Sequence, residues 1–110
     1  MNAEDPSVRV VLITAPDLET ASRLARTLVD ERLAACVNVV PLIRSIYRWE
    51  GGVKDDPESL LVVKTRADRG EALAARVAEL HPYDLPEVLE IPATGGSAAY
   101  LHGVGTESAP

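Results

Sequence analysis

The chain has 110 residues, 46% hydrophobic and 25% charged, with 17 acidic against 11 basic side chains and a net charge of −6. That size and balance describe one globular domain and argue against both global disorder and a second domain. The acidic surplus opposes nucleic acid and anionic membranes, because Lys64, Arg66 and Arg69 are interleaved with Asp68 and Glu71 and do not form a basic patch. No apolar run approaches the roughly 20 residues of a membrane span, and no charged start leads into a signal-peptide core. A single cysteine, Cys36, excludes an intrachain disulfide. A cytoplasmic protein without nucleic-acid or membrane partners is the expectation.

In chain order, the small, polar or Pro-containing stretches 1–6 and 105–110 read as loose tails around a core of about residues 8 to 102. Val8 to Ile13 is almost continuously apolar and suits a central strand buried on both faces. At Thr14-Ala-Pro-Asp17 the period changes, and Leu18, Ala21, Leu24, Ala25, Leu28 and Val29 follow at helical spacing, predicting a helix over about residues 17 to 32. From Cys36 the period is two. Val37, Val39, Ile43, Tyr47 and Trp49 share one face of an extended strand, Gly51-Gly52 supplies a hairpin turn, and Leu60 to Val63 pairs back. Each arm exceeds the usual strand of roughly 5 to 6 residues, and the prolines at 41 and 57 predict a break or bulge at both points. The outer half of this hairpin projects and needs a partner.

Asp68 with Glu71 has the spacing of a capping box, and Leu73, Val77 and Leu80 form the stripe of a second helix ended by Pro82. Glu87 to Ala93 reads as a fourth strand, Thr94-Gly-Gly-Ser97 as a loop, and Ser97 as the cap of a short last helix through Leu101. Two strand-helix-strand units joined by a hairpin give an α+β, ferredoxin-like βαββαβ fold: a four-stranded antiparallel sheet, two helices on one face, a long bent β2-β3 hairpin and a short C-terminal helix. The other sheet face is bare. Bare sheet and projecting hairpin together predict an oligomer.

Thr14-Ala-Pro-Asp17, Leu33-Ala-Ala-Cys-Val-Asn38, Ile46-Tyr-Arg-Trp-Glu-Gly51, Val63-Lys-Thr65, His81-Pro-Tyr83 with Pro86-Glu87, and Tyr100-Leu101 resemble, in one register, the signature of the CutA family of divalent-cation-tolerance proteins. The resemblance implies a ferredoxin-like protomer, a compact homotrimer similar in outline to the PII signalling proteins, and a cytoplasmic role in tolerance of copper and other divalent metals. Members with a proposed copper site carry a cysteine in the first strand and two histidines before the Pro-Tyr. Here those positions are Ile13 and Leu80, and only His81 remains, short of the three or four converging ligands of a tight Zn(II) or copper site. No cofactor follows with certainty; copper or another divalent cation held weakly is the most the residues allow.

Among the candidates, Cys36 reads as a soft metal ligand or redox thiol, or as a small buried residue at a strand start. His81 reads as a metal ligand, or as a turn histidine bonded to backbone. Glu50, Asp55, Asp56 and Glu58 at the hairpin tip are oxygen ligands for a hard cation or a solvated turn that discourages edge pairing. Tyr47, Trp49 and Tyr100 are candidate trimer anchors. Lys64 is a snorkelling edge residue or a buried cation paired with a carboxylate such as Glu87. A PII-like small-molecule sensor is the alternative function, with ligand in inter-subunit clefts lined by Lys64, Tyr83, Glu87 and Trp49. The loop at Thr94 to Ser97 is an anion cradle or a turn, and His102 receives no role. No nucleophilic triad is evident, and the chain is read as no enzyme.

Overall fold

A computed structural model describes residues 7–110, and the expected loose stretch 1–6 lies outside the described residues. The elements run β1 (Val8–Ala15), α1 (Leu18–Asp30), β2 (Cys36–Trp49), β3 (Gly52–Arg66), α2 (Gly70–Leu80), β4 (Val88–Pro92) and α3 (Ala98–Glu107), with a single 3-10 turn at Ala67–Arg69. The sheet order is β2-β3-β1-β4 with every neighbouring pair antiparallel, which is the ferredoxin-like arrangement.

One apolar cluster holds the layers together. Val11, Ile13 and Ala15 from β1 and Leu61 and Val63 from β3 meet Leu24 and Leu28 of α1 and Leu73 and Val77 of α2. Each of the larger side chains contributes about 1.5–3 kcal/mol by leaving water. Asp17 starts α1 by accepting the Thr20 amide at 2.8 Å, and that bond holds the Asp17 carboxyl below its ordinary range. β1 is central as read: Val11, Ile13 and Ala15 are sealed on its helix side, whereas on the other side Val8 is buried and Val10 and Leu12 stay half-buried.

The hairpin departs from the sequence reading in three ways. Its turn is Glu50-Gly51, both at positive φ (49° and 78°), with Trp49 and Gly52 as the closing pair, so the turn sits one residue earlier than expected. Only one register shift occurs, between Val40 and Ile43. Pro57 stays in register opposite Arg44, beside the bulge, because one extra residue on β2 already absorbs the bend. The shift also divides the apolar face. Val37 and Val39 pair with Val63 and Leu61 on the helix side, whereas Ile43 and Tyr47 pair with Glu58 and Lys54 on the open side.

No side chain caps α2. Asp68 instead forms a two-pronged bond to Arg66 at 2.8 and 3.0 Å, which takes it away from the expected capping box. The C-terminal stretch 105–110, read as loose, is built in. α3 runs to Glu107, Val104 and Ser108 are buried, and Arg32 donates to the Thr106 carbonyl at 2.9 Å while Arg66 donates to that of Gly105 at 3.4 Å. α3 packs on β3 and β1 at one end of the face opposite α1 and α2, the face to which Arg66 belongs by alternation.

Candidate functional site

At one end of the sheet the turn after α2 is fixed by His81. Its backbone amide closes the helix on Val77, its Nε2–H donates to the Thr14 carbonyl at 2.7 Å, and its Nδ1 accepts the Tyr83 amide at 3.1 Å. An amide proton can only be given to an unprotonated nitrogen, so the ring is the neutral Nε2–H tautomer with both nitrogens in use. The ring is 7% exposed and lies 4.8 Å from that of Tyr83.

Tyr83 carries the turn to the hairpin. Its hydroxyl donates to Glu58 at 3.0 Å; burial first and this bond second push the Tyr83 hydroxyl up to about 12. Glu58 is therefore no solvated tip residue: it lies beside the bulge and is 8% exposed. Asp56, two residues along on the same side, accepts the Tyr47 hydroxyl at 2.6 Å, and that bond raises the Tyr47 hydroxyl above its ordinary value. Asp55 faces the other way and pairs with Arg44 at 2.6 Å. Of the four acids assigned to the tip, only Glu50 sits in the turn.

At the opposite end of the open face stands a second polar group. Lys64 is opposite Cys36 on β2 and Val10 on β1, and its ammonium bonds the Asn38 side-chain oxygen, not Glu87. Cys36 opens β2 as read but is half-exposed, with Sγ 3.9 Å from the same oxygen. Burial and then the Cys36 thiol raise the Tyr100 hydroxyl. His102 is exposed and gives only its carbonyl, to Thr106.

The four cleft candidates are not gathered by one chain. Lys64 and Trp49 are separated along β3 by the stretch from Gly52 to Lys64, about 40 Å of extended strand. Trp49 at the tip is 48% exposed, and Glu87 is exposed before β4. Ser97 caps α3 by accepting the Tyr100 amide at 3.4 Å, so the Thr94 to Ser97 loop is a turn leading into a helix. Asn38, and the pairing of Glu58 with Tyr83, escaped the sequence reading. The one signal was Pro41, which announces a change of register but not its direction.

A resident copper or zinc ion does not fit this chain's residues at the position the resemblance points to. Ile13 is a fully buried core residue, Leu80 offers no ligand atom, and both His81 nitrogens are committed. Among the described residues no three of His, Cys, Asp or Glu converge. Likewise no described helix is long and apolar enough to cross a membrane.

Sheet order, helix placement and the long bulged hairpin define a ferredoxin-like protein of PII-like outline. Within that class the assignment is specific: the family model described as CutA1 divalent ion tolerance protein matches residues 9–107, and the chain belongs to that family. The divalent-cation tolerance protein CutA of Thermus thermophilus is 52% identical over 92 residues, spanning 84% of this chain and 89% of that protein. The chloroplastic protein CutA of Arabidopsis thaliana is 51% identical over 96 residues, 87% of this chain, and this chain spans only about half (52%) of its length. Among solved structures, CutA1 of Oryza sativa superimposes with a TM-score of 0.92 at 42% identity, covering 96% of this chain and 97% of that one.

Proposed function

We propose that this protein serves the response to divalent cations as a cytoplasmic homotrimer, without catalysing a reaction and without nucleic-acid or membrane partners. The observation that supports assembly is the bare hairpin. Leu42, Ile46, Val53 and Trp49 are 73%, 62%, 65% and 48% exposed on arms that no other described element covers. Val40, Leu89 and Ile91 add apolar area on the open sheet face. A monomer rarely leaves so much large apolar surface in contact with water. Sedimentation velocity at micromolar concentration tests this reading: three associated copies support it, and a stable monomer sinks it.

Metal contact in this reading is weak and unselective, because His81 has no free lone pair. Calorimetric titration with copper(II) in a non-chelating buffer should give no micromolar binding in wild type or His81→Ala. Micromolar binding lost in the variant would show that a second subunit completes a site around His81.

The small-molecule alternative draws on the placement of Lys64, Tyr83 and Glu87 toward one open face, to which a second copy would have to add Trp49. A thermal-shift screen of metabolites with no stabilising hit counts against it.

A further inference from the structure

A second copy laid over the open sheet face would strand two charges unless they meet. Lys64 projects from this face with Val10 and Val62 beside it, and among the described residues its ammonium is held by the neutral Asn38 amide alone. No carboxylate pairs with it among the described residues. Glu87 immediately precedes β4, and continuing that strand's alternation back by one residue from Val88, which packs against the core, puts it on the same face. It is exposed and has neither a hydrogen bond nor an ion pair among the described residues.

The two cannot meet within one chain. Lys64 is level with Val10, and Val88 pairs with Ile13, which leaves Glu87 level with Thr14. Four residues of strand separate those levels, about 13 Å, with the width of β1 between them. Among the described residues of β1, β2 and β3, the other charges on this side are accounted for. Asp56 and Glu58 accept phenolic hydrogen bonds, Arg66 is paired with Asp68, and Lys54 lies far out on the exposed arm.

We propose that Lys64 of one copy pairs with Glu87 of the next when the open faces are covered. This inference rests on the trimeric reading above. Removing the remaining water from an unpaired ammonium or carboxylate opposes association, so an apolar interface across this face forms readily only if each charge brings the other. Each copy then gives Lys64 to one neighbour and receives Glu87 from the other, a heterologous contact that closes into a ring.

The test is sedimentation velocity over a dilution series on wild type, Lys64→Glu, Glu87→Lys and the double variant, with circular dichroism reporting the fold. Each single reversal should weaken association by about tenfold or more, and the double variant should recover most of that loss. Double-variant losses that merely add, or an unaffected Lys64→Glu, would overturn the pair while leaving the trimer intact. A monomeric wild type would instead overturn the trimeric reading. Should a reversal lose its fold, Lys64→Met and Glu87→Gln take its place in the same cycle, with additive losses again overturning the pair. If Lys64→Met abolishes stabilisation by inorganic phosphate while Glu87→Lys leaves assembly unchanged, Lys64 serves a small anion and the proposal fails.

Discussion

Ser59 and Pro41 are joined across the hairpin: the serine hydroxyl donates to the proline carbonyl at 2.7 Å, at the point where β2 carries its extra residue. Ser59 is 1% exposed, and its hydroxyl satisfies the Pro41 carbonyl where the extra β2 residue interrupts the ladder. Ser59→Ala should lower stability by about 1 kcal/mol in urea unfolding, and amides of the outer arm should exchange faster. Unchanged stability and exchange would mean that the backbone alone holds the bulge.

Trp49 tests assembly separately from folding. It belongs to the hairpin tip and not to the core cluster. Trp49→Ala should weaken association by about 2–4 kcal/mol, as for other aromatic anchors, and leave the dilute protomer folded. An oligomer that survives dilution as wild type does would remove Trp49 from the interface.

Alkaline titration reports on Tyr83. Its folded-state hydroxyl is raised from 10.0 to about 12, so its contribution is fully present below pH 10 and is lost as pH rises toward 12. Tyr47 and Tyr100 shift in the same direction and add to the loss. Thermal melts of Tyr83→Phe between pH 9 and pH 11 should fall less steeply than those of wild type; parallel curves would refute the coupling to Glu58.

At the acid end the sign reverses. Arg76 holds Glu31 below its ordinary value, and Arg44 does the same for Asp55. Their stabilisation is present above the usual carboxylate range and is lost as pH falls below about 4, with each pair exposed and of small effect. Arg76→Ala should flatten the acid limb of the melting curve.

Arg32 offers a cleaner contrast. It is held at φ 60° while its guanidinium donates to the Thr106 and Ala109 carbonyls. Arg32→Gly removes the backbone strain together with the bonds, whereas Arg32→Ala removes only the bonds. Both should fray the last turn of α3 in hydrogen exchange, with the alanine variant the less stable in urea by about 1 kcal/mol.

These residues also mark how far the sequence could be read. Apolar periodicity was enough for β1, α1 and α2 because their partners are one common core. α3 was cut short at Leu101, since Gly103 and Gly105 weaken any helical pattern and its support comes from Arg32 and Arg66, distant in sequence. Pro41 signalled an irregularity, but the face presented by Tyr47 depends on a residue count that period two cannot reveal. The bonds of His81 to Thr14 and of Tyr83 to Glu58 join segments that local pattern does not relate.

The two adjacent glycines of the hairpin are unequal. Gly51 occupies the left-handed region at φ 78°, while Gly52 begins β3 with open space where a side chain would go. In a saturation library, position 52 should accept most side chains, β-branched ones included. Position 51 should retain glycine, with asparagine and aspartate the nearest survivors. Two letters that look interchangeable in the sequence would then carry very different mutational freedom.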